Sequence, residues 1–351
     1  MRERDREGEG NRRIGVGIVG FGGIGQVHAA ALEQCPEARV MAVARRHRDE
    51  AVAARFPRVA WHTDYRALLR HDDIAVVAIC TPNGDHVKQA LDALAAGKHV
   101  VVEKPLALSL ADGERVVDEA HARGRLLAVM SQRRLEPQNR YLKALLEAGT
   151  LGTPVLGETL VRWHRDRRYY DSAPWRGSRA LDGGVLLNQA IHAIDLLRWF
   201  LGPVESVTGF AATRAGHTEA ADTGVAALRF ASGALGVIAA TTAAPPGLSA
   251  ELNLFFTRGQ VALHDAAVAR WAVPGVPPPP PSEAVGSGRS DPAAIGILGH
   301  LRQWQDILAA LREGRAPSVT GADGLATLAV ILAVEEADRT GQVVRLDQAR
   351  G

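Results

Sequence analysis

Cysteine and lysine are both scarce in this chain of 351 residues, and each shortage narrows what the protein does. The two cysteines, Cys35 and Cys80, have no metal-like spacing, and Cys80 sits inside an apolar run. That pattern describes two reduced, buried thiols in a cytosolic protein rather than a disulfide scaffold or a thiolate metal centre. No apolar run is long enough to span a bilayer. The first twelve residues, MRERDREGEGNR, are dense in both charges and lack the apolar stretch of a secretory signal, so 1–12 is expected to be a disordered tail. A formal charge of +2 with interspersed signs gives no basic stripe, and neither nucleic acid nor a membrane is an expected partner. A cytoplasmic location follows as an expectation.

The lysine shortage is more pointed. Four lysines (Lys88, Lys98, Lys104, Lys143) stand in a chain whose lysines and arginines total 41. One of the four, in HVVVEKPLALS (His99 to Ser109), ends a strand that otherwise reads as buried. Solvated edge, structural ion pair and chemical group are the three roles open to it.

The length predicts two domains, and a hydrophobic fraction of 46% with 23% charge is that of a globular protein. From Arg13 to residue 131 short, continuously apolar runs (IGVGIV, RVMAVA, IAVVAIC, HVVVE, RLLAVM) alternate with helical patterns, one after Gly25, one over Asp85–Ala96 and one over Leu110–Ala122. This grammar predicts a doubly wound parallel sheet, an α/β Rossmann domain over 13–131. From 132 to 351 it changes. A helix over Gln138–Ala148 precedes longer, alternating strands joined by short turns, such as VTGFAATR, TGVAALRF, ALGVIAAT, AELNLFF and QVALHD. The expectation is a C-terminal α+β domain with a large, mainly antiparallel open sheet, interrupted by a proline-rich loop over 272–295 and closed by two helices.

Strand one ends in GFGGIGQVHAAAL, placing Gly20, Gly22 and Gly25 in G-x-G-x-x-G spacing around Gly23 and Ile24. Following a strand and opening a helix, the glycines allow a tight turn and close backbone approach to a pyrophosphate, which the helix N-terminus attracts. The second strand lacks the acid that commonly receives the adenosine ribose. It reads AVARRHRD, with Arg45 twenty positions past Gly25. A guanidinium there suits a 2′-phosphate, so NADP is expected over NAD; the competing reading makes Arg45, Arg46 and Arg48 a solvated turn.

Ligands of an open parallel sheet sit beyond the carboxyl ends of its strands. Lys104 therefore points toward the Gly20–Gly25 crevice, together with Glu103 and with Thr81, Pro82, Asn83 and His86 of the TPNGDH segment. Neighbours in a strand face opposite ways, which weakens an ion pair with Glu103. A partly desolvated lysine beside a nicotinamide can donate to a substrate oxygen. Pro105 holds Lys104 extended and is a candidate for a cis bond. A second constellation lies in LDGGVLLNQAIHAIDLLRWFLGP, Leu181 to Pro203. Read as one helix, it carries Asn188, His192 and Asp195 on a single face, costly to bury without partners. His192 suits proton transfer, and Asp195 either orients the imidazole or makes a packing contact. Upstream, Arg162, Arg165, Arg167, Arg168 and Arg176 mingle with Trp163, Tyr169, Tyr170 and Trp175. They read either as cationic forks amid stacking faces or as a mixed charged loop. Trp175, Arg176 and Tyr170 are the expected substrate contacts there.

G-x-G-x-x-G, TPN…H, EKP and GG…N-x-x-x-H-x-x-D together resemble the glucose–fructose oxidoreductase / inositol dehydrogenase / rhizopine-catabolism (Gfo/Idh/MocA) family. The likeness runs from Arg13 to the closing His300…Asp306, GRAPSVTGADG and TGQVVRL segments. It implies a Rossmann domain, a second domain whose open sheet serves oligomerisation, and hydride transfer between NAD(P) and a sugar or polyol hydroxyl. By position, it implies that Lys104 anchors nicotinamide and substrate and that His192 is the general acid/base. Asn188 stands where the family often has Asp, and Val185 where a glycine is often seen. VRWHRDRRYYDSAPWRGSRALDGG resembles the branch of UDP-N-acetylglucosamine(uronate) 3-dehydrogenases. The expected function is NAD(P)-dependent oxidation or reduction of a sugar, sugar nucleotide or cyclitol by a homo-oligomer, with no metal. An NAD-dependent glycosidase and a non-catalytic cofactor-binding protein are the alternatives.

Overall fold

Runs that are apolar on both faces must be covered on both faces, and here they assemble into one buried sheet. The computed structural model describes residues 13–281 and 296–346. The first sheet holds β1 (Ile14–Val19), β2 (Ala38–Ala44), β3 (Ala60–His62), β4 (Val76–Ile79), β5 (His99–Val102) and β6 (Leu127–Val129). Every pairing is parallel, in the order β3-β2-β1-β4-β5-β6. Strand order reverses between β1 and β4, which opens a crevice beyond their carboxyl ends. Helices α1 (Gly23–Glu33), α2 (Glu50–Arg55), α3 (Tyr65–Leu69), α4 (His86–Ala95) and α5 (Leu110–Ala122) make the connections. The short β3, α2 and α3 have no periodicity long enough to read. The two helices are announced only by their caps, Asp49 accepting from Val52 N and Asp64 from Arg66 N.

After α6 (Pro137–Glu147) comes β7 (Pro154–Arg162), then α7 (Arg167–Asp171) and α8 (Ile191–Leu201). Strands β8 (Val204–Ala212), β9 (Thr223–Phe230), β10 (Leu235–Thr241), β11 (Glu251–Phe256), β12 (Gly259–His264) and β13 (Ala267–Ala272) follow. Helices α9 (Leu298–Glu313) and α10 (Gly321–Thr340) precede a short β14 (Val344–Arg345). The second sheet runs β13-β12-β11-β7-β10-β9-β8-β14, with β7–β10 its parallel pair. Its inner face packs on α8 and α10 through residues such as Leu228, Phe230, Ile238 and Leu254. Its outer face leaves Phe210, Val225, Leu235 and Val237 exposed.

Of the proline-rich segment, residues 273–281 form neither helix nor strand. Trp271 donates to Val276 O and Tyr141 to Pro277 O, and the two rings stack at 5.9 Å. The rest of that loop, and the expected tail at 1–12, lie outside the described residues.

Two departures matter for the site. The segment from Leu181 to Pro203 is not one helix. Gly183 and Gly184 take φ of +81° and +83°, a π turn spans Val185–Gln189, and regular α-helix begins only at Ile191. The left-handed glycines explain why helix cannot extend to Leu181. Second, α9 follows the expected boundary at 131, yet its Trp304, Ile307 and Leu308 pack with Ala29 and Leu32 of α1.

A buried ion-pair network fastens α8 to what surrounds it. Arg134, just after β6, donates to both oxygens of Asp195 at 2.7 and 2.6 Å and to Asp323 of α10 at 2.8 Å. Thr327 adds a bond to Asp195 at 2.7 Å. Burial alone would raise the Asp195 pKa, but the guanidinium outweighs it and the carboxyl lies below its ordinary value. Its stabilisation is therefore full above the unfolded-state carboxylate pKa and is lost as pH falls through the folded one. Asp195→Ala, which leaves Arg134 with Asp323 alone, is expected to cost about 3 kcal/mol, read as a lower urea midpoint. An unchanged midpoint would deny the network this role.

Candidate active site

The crevice at the reversal point is a cleft of about 1080 Å³, walled by the β1 turn, the tips of β2, β4 and β5, and the segment from Trp163 to His192. The glycines divide its floor into two kinds of position. Gly20 sits at φ +90°, and a Cβ on it would stand 2.6 Å from the Cys80 carbonyl carbon. A Cβ on Gly25 would lie 2.2 Å from Gly20 O. Those two glycines serve the fold. At Gly22 and Gly23 a Cβ would meet nothing within 4 Å, and both residues line the cleft, so their hydrogens mark where a ligand can approach the backbone. Helix α1 begins here without a side-chain cap, directing its first N–H groups outward. This is the cradle a dinucleotide pyrophosphate requires, and the residues fit it.

At the β2 tip, Arg45 reaches Asp49 at 3.5 Å and Arg46 reaches Asp85 at 3.4 Å, and both arginines line the cleft. Thr81, Pro82 and Asn83 line it as well. Asn83 is buried and donates to Asp182 O at 2.8 Å. His86 is fully buried, with its ring nitrogens 2.7 Å from Pro105 O and 2.9 Å from Thr81 O. It braces two strand ends and is not among the residues lining the cleft. Glu103 meets the cleft wall, but its carboxylate is held by His28 and His300.

Lys104 precedes a cis peptide bond to Pro105. Its Nζ donates to Asn188 O at 2.8 Å and to Asn188 Oδ1 at 3.2 Å, so the ion pair with Glu103 is not made. The π turn supplies both acceptors, and such turns recur at functional sites. Burial lowers the Lys104 pKa from its ordinary value, with Glu103 and Asp182 acting the other way. His192, one turn on, is pushed down to about 3 by burial, the Lys104 charge and Arg133. It is a neutral imidazole at physiological pH, able to accept a proton. Asp195 does not orient it: the carboxylate is spent on Arg134 and Thr327, and His192 Nδ1 is buried with no partner among the described residues.

The carboxylate near Asn188 is Asp182, which accepts a short hydrogen bond from the Asn188 amide and one from Gly177 N at 2.6 Å. No periodic signal marks it, since Leu181–Gly183 is loop. On the opposite wall the Arg176 guanidinium lies 4.1 Å from the Tyr169 ring centroid and 5.1 Å from that of Trp175. Buried Arg165 lies 5.1 Å from both Trp163 and Tyr169. The expected Tyr170 instead turns to Thr242 at 2.9 Å, and its neighbour Tyr169 lines the cleft. Two adjacent tyrosines on a one-and-a-half-turn helix face different ways, and nothing in the sequence chooses between them.

Residues 14–131 match the oxidoreductase family with an NAD-binding Rossmann fold, and residues 139–262 match the GFO/IDH/MocA C-terminal domain. The chain belongs to the Gfo/Idh/MocA family. Among solved members, the WlbA dehydrogenase of Bordetella pertussis, in complex with NADH and UDP-GlcNAcA, is 32% identical, with a TM-score of 0.86 over 96% of this chain and 99% of that one. The WlbA enzyme of Chromobactrium violaceum, with the same two ligands, is 30% identical, at 0.85 over 97% of each chain. Myo-inositol 2-dehydrogenase of Thermotoga maritima is 25% identical over 96% of this chain and 99% of its own. The protein is thus an oxidoreductase of an NAD-binding family of sugar and cyclitol dehydrogenases. No helix of the described residues is long and apolar enough to cross a membrane.

The glycine geometry makes a sharp forecast. Gly22→Ala is expected to leave the melting temperature unchanged while weakening NADH affinity about tenfold, ~1.4 kcal/mol, by fluorescence titration. Gly25→Ala is expected to lower the melting temperature itself. Equal effects of the two on both measurements would contradict this division.

Proposed function

We propose that this protein oxidises, reversibly, a secondary hydroxyl of an anionic sugar nucleotide, with Lys104 and His192 as its catalytic residues. The observation that carries the reading is the presence of Lys104, His192 and the Gly20–Gly25 cradle in one cleft. A bound nicotinamide supplies the hydride acceptor. The chain's own residues do the rest. The Lys104 ammonium, oriented by Asn188, donates to the substrate oxygen and stabilises the alkoxide as it develops. Neutral His192 takes the hydroxyl proton. Asn188 cannot relay that proton, so its part is to hold the lysine.

An anionic substrate is supported by the opposite wall. Arg176 Nε is buried without a partner among the described residues, and its guanidinium is flanked by Tyr169 and Trp175. A fork in an aromatic slot suits a carboxylate or phosphate, and the rings suit a sugar or base. The two WlbA relatives, crystallised with a UDP-sugar acid, are similar along nearly the whole chain. NADP preference is part of the proposal through Arg45, since β2 is followed by a guanidinium in place of a carboxylate, with Asp49 as that guanidinium's partner at 3.5 Å. The NADH in those relatives supports the opposite choice, and a competition between NADPH and NADH decides it.

The outer face of the second sheet supports a homo-oligomer. Phe210, 71% exposed, sits beside Val225, while Val237 pairs with Ala227 and Leu235 with Leu156, so these apolar side chains share the outer face, with Arg229 and Glu158 between them. Phe210→Glu with Val237→Arg is expected to convert a dimer or tetramer into monomers by sedimentation. A wild-type chain that sediments as a monomer at micromolar concentration would defeat this.

The catalytic assignment is tested by following reduced-nicotinamide absorbance with UDP-sugars, UDP-sugar acids, free sugars and inositols. Turnover is expected with the UDP-sugar acids. Lys104→Ala and His192→Ala are expected to reduce kcat by about 10²- to 10⁴-fold. Oxidation should hold on the acid side, where His192 stays neutral, and fall as rising pH strips the Lys104 ammonium below the ordinary lysine value of 10.5. Full activity in Lys104→Ala would remove the lysine from the mechanism, and release of free sugar without net cofactor reduction would favour a glycosidase.

A further inference from the structure

Behind the cleft lies a buried polar cluster that the mechanism above does not use. His28 is on α1, three residues after Gly25; His300 is on α9; Glu103 is at the tip of β5. All three are buried, and Glu103 Oε1 lies 3.0 Å from His28 Nε2 and 3.2 Å from His300 Nε2. Trp304, fully buried on α9, donates its indole N–H to His28 Nδ1 at 3.1 Å. That bond settles the tautomer. Nδ1 is the acceptor, so the proton of neutral His28 is on Nε2 and points at the carboxylate. Two histidines and a carboxylate also make a metal-ligand set, their donor atoms within 4.8 Å of one another. A metal would need the Nε2 lone pair of His28, which the Trp304 bond has committed to a proton.

The other carboxylate oxygen, Oε2, accepts from the Lys104 main-chain N–H at 3.1 Å. Three N–H donors from three elements therefore converge on one carboxylate, and the third is the backbone of the cleft lysine. We propose that Glu103 is a positioning residue: gripped by His28 and His300, its carboxylate fixes the Lys104 backbone and with it the approach of the Lys104 side chain to the cleft. The inference rests on Lys104 being the catalytic lysine. It also links the cofactor-binding helix to the reacting group, because α1 carries both the phosphate cradle and His28.

The charges around each group indicate what removal of Glu103 does. Burial alone would raise the Glu103 pKa, and the bonds from His28 and His300 outweigh it, leaving an ionised carboxylate. Lys104 faces Glu103 and Asp182, both of which favour its ammonium. His192 faces Lys104 and Arg133, which disfavour its cation, and Glu103 and Asp195, which favour it. Glu103→Gln keeps the shape but not the chemistry. Its single carbonyl accepts from the histidines or from the Lys104 N–H, and its amide group then confronts the donors on the other side.

The test uses the full-length protein and two readouts. The chain has four lysines, so [¹³Cε]lysine NMR gives few signals, and Lys104→Ala assigns the one of interest. Lys104 is expected to titrate at lower pH in Glu103→Gln than in wild type, with or without turnover. In steady-state kinetics with NAD+ or NADP+ and the active UDP-sugar, kcat is expected to fall on the order of 10- to 100-fold with KM for the cofactor little changed. The alkaline limb of the pH profile should move to lower pH, because Lys104 loses a negative neighbour. His300→Gln, which retains an N–H donor, is expected to restore most of the activity lost in His300→Leu. If Glu103→Gln does not fold, the His300 pair carries the comparison.

An unreduced kcat in Glu103→Gln, or loss of activity with an unmoved alkaline limb and no rescue by His300→Gln, overturns the proposal. Failure of the underlying reading looks different: Lys104→Ala would then be as active as wild type.

Discussion

The Glu103 carboxylate is the point from which the geometry of the cleft is fixed. A buried carboxylate is costly unless it is paired and fully hydrogen-bonded, so its position is set by whichever donors can reach it. Here the donors come from α1, from α9 and from the next peptide in its own strand. The chain must therefore bring its last fifth back to its first thirty residues. Helix α9 does so, burying Trp304, Ile307 and Leu308 against α1 and delivering His300 and the Trp304 N–H to the same spot. The apolar packing supplies the bulk of the attraction, and the polar bonds select the register at which α9 lies.

A second network does the same for the opposite wall. Arg134 leaves β6, and its fork takes both oxygens of Asp195, three residues after His192 on α8. Arginine suits this task because it stays charged when buried and grips a carboxylate with two parallel bonds. The use of lysine is correspondingly selective. Lys98 satisfies the carbonyls of His71 and Ile74, Lys143 that of Trp199, and Lys88 pairs with Asp92 at the surface. Lys104 differs in meeting two acceptors of a single residue, Asn188, at the wall of the cleft, a partner that under the proposed role it exchanges for a substrate oxygen.

Much of this was legible in the sequence. Continuous apolar runs gave the parallel sheet, alternation gave the second sheet, and Gly97, Gly124 and Gly149 marked helix ends with the positive φ they adopt. Lys104, His192, Arg176 and the glycine loop all reached one cleft, because each sits at a strand tip, a turn or the first turn of a helix that topology sends there. The failures have a common cause. A face assignment for Asn188, His192 and Asp195 presumes unbroken helix, and Gly183, Gly184 and the π turn break it. Asp182, His28 and His300 are single polar residues in apolar or loop surroundings, whose significance comes from partners up to 276 positions away. Spacing carries no information about such contacts. The hints available were the closing His300…Asp306 pattern and a histidine three residues past the phosphate loop, on the buried side of α1.

The electrostatics of the cleft follow from this arrangement. Burial pushes the pKa values of Lys104 and His192 down together, and their mutual repulsion lowers His192 further. The two do not become alike. Lys104 begins four units higher (10.5 against 6.5) and has the carboxylates of Glu103 and Asp182 beside it. His192 has Arg133 and the lysine itself for near neighbours, and the carboxylate on its own helix is engaged by Arg134. One environment thus yields a cation and a neutral base side by side. Under the proposed roles, oxidising a hydroxyl uses that pair, one group to stabilise the negative charge developing on the substrate oxygen and one to take the proton. The arrangement depends less on the reactive side chains than on where the fold has placed the carboxylates.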